Sequence, residues 1–412
     1  MKNKRDIFIG RPFSLFLAGQ GILSFGEAVR FIAVTVLMYD ITGSGVSTAA
    51  GIALSTLPGI LISPFAGVAG DRSGGAKRLV LMDGFRSLAA LLFIFAENIT
   101  HIYLLLILIS VSDVFYNPSR RKYVQEITGK KGAFRANSML TGAGGAAYLA
   151  GPVLAGFLTE EYGPVPLIFL ASACCLISAL LTGSSIAAVS MKSSTIRKPD
   201  SHEAAMSCLR EGIRYCRAVP AIRELLAAGF VLGFCTLSVN LAFYPFAFDM
   251  LNVTPKGWGL LITVYYGADL FAMFIAGQME AGSGKHSSAV FYGSIAATAS
   301  IWLIYAFVKG YAVVLLLQFA EGTFMAICGI ILAARCQITS DREYMARVVA
   351  LSDMTNGIGK LMGMGVTSCI AVRFSCIGVF VFCSAFLLIF AAIGSIHSGR
   401  TPDRKSSRPV VQ

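Results

Sequence analysis

The sequence predicts an all-α integral membrane protein of twelve transmembrane helices in two six-helix repeats, with the N- and C-termini cytoplasmic. Three observations predict it. Of the 412 residues, 56% are hydrophobic and only 14% charged, with mean hydropathy +0.71, whereas soluble domains average about a quarter charged. Apolar stretches recur at lengths that cross a hydrocarbon core of ~30 Å, for which about 20 helical residues suffice. The basic residues gather on alternate connections.

The predicted spans run over 13–39, 47–69, 79–98, 102–118, 136–158, 164–186, 224–248, 257–279, 288–308, 311–335, 351–371 and 375–396. Each is continuously apolar rather than alternating, so helices are expected and a barrel is not. The N-terminal MKNKRDIFIGRPF is basic and runs into the first span. That span exceeds a signal-peptide core and shows no small-residue cleavage site, so it is read as a retained helix. The other connections are short and leave no room for a sizeable soluble domain.

With the N-terminus inside and the spans alternating, Lys256, Lys309 and Arg373 fall on outer loops, and Arg30, Arg86 and Lys360 within helices. Every other Lys and Arg, from Lys2 to Arg408, falls inside. This asymmetry is a topology signal, and it accounts for the formal charge of +12 without any nucleic-acid partner.

The longest polar segment, 191–223, divides an N-terminal half (1–190) from a C-terminal half (224–396), followed by a cytoplasmic tail (397–412). Charges around Cys208–Arg217 have helical spacing and suit a helix along the inner membrane surface. A shift of 212 residues superposes Gln125, Arg135, Gly145, Leu149 and Gly151 on Gln337, Arg347, Gly357, Leu361 and Gly363. Those positions lie in the fifth and eleventh spans and the connections into them, so duplication of a six-helix unit is expected. Parallel repeats with a substrate site near the midplane are a known carrier design.

Other chemistries find little support. Most of the ten cysteines lie in apolar stretches, where a thiol acts as a small hydrophobe. There is no CxxC, and His101, His202, His286 and His397 sit at loops or helix ends without HxxxH spacing. No metal or other cofactor is expected, and no enzyme. Gly282-Ser-Gly284-Lys285-His286 hints at a phosphate loop but lacks its earlier glycine, which argues against a nucleotide-driven pump.

Charges inside a bilayer cost roughly 2.5–3.5 kcal/mol each on insertion scales, so each needs a reason. Glu27 and Arg30 (first span), Asp269 (eighth), Glu321 (tenth) and Lys360 (eleventh) fall near mid-span, and Asp113 lies deeper toward the cytoplasm in the fourth. Glu27 and Arg30 are three apart and share a helix face. They suit either a standing ion pair or a proton- or cation-loading carboxylate governed by its arginine. Asp269 suits a pair with Lys360. Asp83 and Arg86 lie near the cytoplasmic end of the third span. Phe31, Phe243, Tyr244, Phe246, Tyr265 and Tyr266 are candidates for an apolar cavity wall.

The connection after the second span reads Gly67-Val-Ala-Gly-Asp71-Arg72-Ser-Gly74-Gly-Ala-Lys77-Arg78. It resembles the loop signature G-x-L-A-D-R-x-G-R-[KR] of the major facilitator superfamily, matching at Gly67, Asp71, Arg72 and Gly74. Gly151, Pro152 and Gly156 match the exporters' fifth-helix signature G-x8-G-x3-G-P-x2-G-G, with Ser138, Ala147 and Ala155 in place of three glycines. Further stretches are similar to the drug-exporter branch related to macrolide and siderophore exporters. They include Ser24-Phe-Gly26-Glu27, Asp83-Gly-Phe-Arg86, Asn117-Pro118 and Arg135-Ala-Asn137-Ser138.

The resemblance covers nearly the whole chain. It implies a monomeric carrier in the cell membrane that exports a lipophilic or amphipathic small molecule by alternating access, with protons as coupling ion. It also implies a cytoplasmic latch at Gly67, Asp71, Arg72 and Gly74, supported by Arg86, and a cavity that draws Glu27, Asp113 and Glu321 from its lining helices. The fourth span lacks the R-x-x-x-G arginine of many proton antiporters. The alternative is a carrier for a specific metabolite, siderophore or lysolipid without proton antiport; a channel or receptor fits less well.

Overall fold

The computed structural model describes residues 10–62, 75–189, 213–276, 285–340 and 344–400, and all regular structure among them is helical. Helix α1 (Arg11–Thr42) starts with Pro12 in its first turn, where a missing N–H costs nothing. It ends at Gly43, whose φ of 60° suits glycine and whose N–H donates to Tyr39 O at 2.7 Å. Ser44 then caps α2 (Gly45–Leu61), its hydroxyl accepting from Ser47 N–H at 3.3 Å. Helix α3 (Gly75–Leu92) runs into a 3₁₀ turn (Phe93–Phe95), and Asn98 caps α4 (Ile99–Tyr162) by accepting from His101 N–H at 3.1 Å.

Helix α4 holds two apolar stretches, Ile99–Thr128 and Ala136–Tyr162. Helical backbone continues through 129–135, where a loop is predicted; no proline lies between Pro118 and Pro152 to stop the ladder. Helix α5 (Val165–Ala188) corresponds to the predicted sixth span. The rest comprises α6 (Pro220–Pro245) with a π turn (Phe246–Met250), α7 (Pro255–Ala276), α8 (Lys285–Tyr305), α9 (Tyr311–Thr339) and α10 (Met345–Arg400). Helix α10 breaks at Ser375 (φ 59°, ψ −172°), at the predicted junction of the last two spans.

Eight described segments are long and apolar enough to cross a membrane: Arg11–Thr42, Ile99–Thr128, Ala136–Tyr162, Val165–Ala188, Pro220–Met250, Ser287–Tyr305, Tyr311–Cys336 and Arg373–His397. The predicted second, third, eighth and eleventh spans correspond to α2, α3, α7 and the first part of α10, which fall outside that group. Helix α2 has 17 residues, and α3 carries Lys77, Arg78, Asp83 and Arg86. Large apolar side chains such as Leu81, Leu180, Leu316 and Phe307 are 64–77% exposed, an outer surface suited to lipid.

Contacts group the chain into two compact units. The first joins residues 1–200 with Tyr244–Tyr266; the second joins 201–243 with 267–412. The predicted C-terminal half therefore lends 244–266 to the first unit. Gly45 is one reason: a Cβ there would lie 2.5 Å from Pro245 Cα, so α2 starts directly against this segment. Within the first unit α1 packs on α4 and α5, and α3 packs on α5 and α4; within the second, α8 packs on α9 and α10.

The predicted repeat has a physical counterpart. A Cβ on Gly151 would meet Ala28 Cβ at 2.7 Å, on the helix that opens the first half. A Cβ on Gly363, its partner 212 positions on, would meet Phe234 O at 2.3 Å, on the helix that opens the second. The two glycines serve the same close helix approach, each inside its own unit.

Candidate functional site

Helix α3 brings Asp83 and Arg86 to one face, three residues apart, and both are buried, at 0% and 4% exposure. Arg86 Nη1 lies 3.4 Å from Asp83 Oδ1 and 3.6 Å from Glu27 Oε1 of α1, and Arg86 Nη2 closes on Asp113 Oδ1 of α4. One guanidinium thus meets carboxylates from three helices. It also lies 4.1 Å above the Tyr116 ring.

Asp83 is the best satisfied of the three. Its Oδ2 accepts from Ser178 at 2.8 Å and from Tyr116 at 3.5 Å, and the Tyr116 hydroxyl accepts from Gln20 Nε2 at 2.5 Å. Ser87 and Ser172, whose hydroxyls lie 2.9 Å apart, tie the next turn of α3 to α5. Glu27 and Asp113 differ from Asp83: their side chains remain 28% and 40% exposed.

That exposure opens into a cavity of ≈ 220 Å³ within the first unit. Glu27, Arg30 and Asp113 give it a charged wall; Ser55, Ser110 and Tyr148 add polar groups; Phe31, Ile52 and Leu106 are among its apolar lining. A concave, mostly apolar site with a few convergent polar groups is the usual form of a small-molecule site. Tyr266 packs against Tyr148, ring centroids 4.9 Å apart.

One sequence expectation is corrected here. Glu27 pairs with Arg86 rather than with its helix neighbour Arg30, because the facing helix delivers a buried guanidinium. Among the described residues Arg30 has no carboxylate within 4 Å. Arg86, expected to support the cytoplasmic latch, lies among Glu27, Asp83 and Asp113. Gly67, Asp71, Arg72 and Gly74 lie outside the described residues.

Elsewhere, Glu321 on α9 is 7% exposed and lines no part of this cavity. Trp302 Nε1 donates to it at 2.8 Å and the Tyr305 hydroxyl at 2.7 Å, so two neutral donors satisfy it inside the second unit. Asp269 is half-buried on α7, and among the described residues it forms no ion pair with Lys360. Of the candidate wall aromatics, Phe31 lines the cavity, whereas Phe243 packs on Tyr305 and Tyr244 on Trp258.

In the fifth-span motif, Gly151 lets α4 approach α1, and Gly156 faces α7, where a Cβ would meet Pro255 O at 2.7 Å. Pro152 O is in turn 2.2 Å from where a Cβ on Gly259 would lie. The motif is a close-packing surface on two sides.

The sequence profile of the Major Facilitator Superfamily matches residues 16–254, more than half of the chain. The chain belongs to the Major Facilitator Superfamily. As a superfamily member it is a multi-pass membrane transporter, and the expectation of a carrier rather than an enzyme holds on that ground. It is similar to Multidrug resistance protein 2 of Bacillus subtilis (strain 168), at 27% identity over 265 residues. That match covers 64% of this chain and 64% of the relative, less than two thirds of its length.

Solved superfamily folds agree. A bacterial homolog of the human lysosomal transporter Spinster, inward-facing and unoccupied, superposes with TM-score 0.67 at 14% identity, over 95% of this chain and 98% of that one. The nucleoside transporter NupG superposes with TM-score 0.71 at 12% identity, over 92% and 99%. At these identities the likeness speaks for the fold.

Gln20, Tyr116 and Ser178 were not singled out from the sequence. The signal was there for two of them: Gln20 is seven residues before Glu27, and Tyr116 three after Asp113, so each shares a face with a charged residue.

Proposed function

We propose that this protein is a secondary active carrier of the cell membrane that exports a lipophilic or amphipathic compound in exchange for protons. Glu27 is the proton-loading carboxylate, and alternating access is the mechanism. In this reading the chain is a monomer of twelve spans with both termini cytoplasmic. The observation that carries it is one buried arginine shared by three carboxylates on three helices, beside a small cavity. The printed name of the Bacillus subtilis relative supports export of drug-like compounds.

Arg86 also supplies what the fourth span lacks. That span has no R-x-x-x-G arginine; from α3, Arg86 sets a buried cation beside the first-helix carboxylate. Glu27 is the most loosely held of the three carboxylates, at 3.6 Å, and is open to the cavity. Protonation of Glu27 weakens its attraction to Arg86 while Asp83 and Asp113 keep the guanidinium in place. Loss of the proton restores the attraction. A change of one charge in a low-dielectric wall thus acts on α1 against α3 and α4.

The test is reconstitution in proteoliposomes under an imposed inward proton gradient, reading lumenal pH while lipophilic compounds are added. The parent protein should move protons in response to a transported compound. Glu27→Gln should show no proton movement coupled to that compound; full coupling in this variant would sink the assignment. For the latch, Asp71→Asn is expected to slow turnover by about tenfold, equivalent to ~1.4 kcal/mol, with binding largely kept. Unchanged turnover would remove Asp71 from the mechanism.

A further inference from the structure

Glu27 and Arg30 carry opposite charges one helical turn apart and both line the same cavity, yet among the described residues they form no ion pair within 4 Å. Neighbours at this spacing on a helix surface ordinarily attract and can pair. Here Glu27 leans toward Arg86, itself held by Asp83 and Asp113, and Arg30 lines the cavity with no carboxylate oxygen within 4 Å among the described residues. Of the three charged groups in the wall, Asp113 is closed on Arg86, so the wall offers the loosely paired Glu27 and the positive Arg30 side by side, where lone charge is expensive.

We infer that the cargo is a zwitterionic amphiphile, whose cationic group docks at Glu27 and whose anionic group docks at Arg30. This rests on the reading that the cavity holds the cargo. A ligand with a single charge of either sign meets one attractive and one repulsive neighbour, and the two effects largely cancel. A zwitterion meets both favourably. Arg30 can hold a carboxylate through two parallel N–H donors, a geometry an ammonium does not offer. Phe31, Ile52 and Tyr148 give the apolar body its seat, Phe31 and Tyr148 as ring partners. The ≈ 220 Å³ of the cavity suits a body of about two fused rings rather than a macrocycle. The inference also explains exchange: a proton on Glu27 removes the partner of the cationic group, so proton and cargo compete.

The probes are four molecules with one naphthyl body: naphthylalanine, a zwitterion; its amide, a cation; its N-acetyl derivative, an anion; and its neutral N-acetyl amide. Binding is measured on the purified protein in nanodiscs by titration calorimetry, with no gradient imposed. Naphthylalanine should bind roughly tenfold more tightly than either singly charged probe. Arg30→Gln should weaken naphthylalanine and the N-acetyl acid by about that factor and leave the amide cation no weaker, with Arg30→Lys recovering part of the loss. Glu27→Gln should do the reverse, weakening naphthylalanine and the amide cation.

Equal affinity for all four probes, no binding of any, or an amide preference that ignores Arg30 would each overturn the inference. If Arg30→Gln does not fold, the probe ranking of the parent and of Arg30→Lys still decides. Because no gradient is used, a carrier without proton exchange still shows the zwitterion pattern. A proton-coupled carrier lacking the pattern refutes this inference alone.

Discussion

Arg86→Met is expected to leave a protein that melts far below the parent and carries out no transport. The substitution keeps most of the side-chain volume but removes the guanidinium that Glu27, Asp83 and Asp113 share. Breaking a buried charge pair by deleting one partner costs about 3–5 kcal/mol, because the remaining charge stays buried and uncompensated. Asp83 is fully buried, so it has least access to a substitute partner. Thermal melting of the purified protein in detergent measures the effect. Adding Asp83→Asn to Arg86→Met should recover part of the loss, since an amide can still accept from Ser178. Arg86→Lys should fold better than Arg86→Met, but one ammonium cannot reach all three carboxylates in the same geometry. A melting temperature for Arg86→Met within experimental error of the parent would show that these carboxylates are not charged in the folded protein.

The second large effect is expected at Gly363→Val. The first added carbon would sit 2.3 Å from Phe234 O and 2.8 Å from Ser238 Oγ. Phe234 O belongs to the backbone of α6 and already accepts from Ser238 at 2.7 Å, so it cannot turn aside. Overpacking of this kind typically costs 1–3 kcal/mol, and separation of two helix backbones lies at about the upper end. Gly151→Ala should be milder, because its clash at 2.7 Å is with the Ala28 methyl rather than with backbone. The comparison is read from the yield of monodisperse protein and from melting. Equal tolerance at both sites would contradict the packing described for α10 on α6.

What was legible in the sequence follows from what one chain encodes locally. Apolar length marked the helices, and the shift of 212 residues marked the equivalent glycines, because both are one-dimensional patterns. The face shared by Glu27 and Arg30 was legible for the same reason. Their actual partners were not, since pairing depends on how neighbouring helices are rotated, which spacing along one helix does not determine. The contacts of Arg86 with Glu27 and Asp113 were not legible either, because they follow from the facing turns of α1 and α4. Glu321 was singled out from its helix alone. The donors Trp302 and Tyr305 come from α8 and turn that carboxylate into a satisfied interior group.

The pairing of Asp83 with Arg86 inside a single helix bears on how the protein is made. Asp83 lies on the same helix as Arg86, so this partner is in place as soon as α3 is helical, whereas Asp113 must be brought by α4. Two separate charges near the middle of a segment would each add roughly 2.5–3.5 kcal/mol to its insertion. As neighbours three residues apart they can enter as a neutral pair, and α1 is already present to offer Glu27. In the proposed twelve-span arrangement Asp83 would thus accompany Arg86 into the lipid until the other helices arrive. Loss of either member of the pair would then be felt first as a third segment left outside the bilayer, before any question of turnover arises.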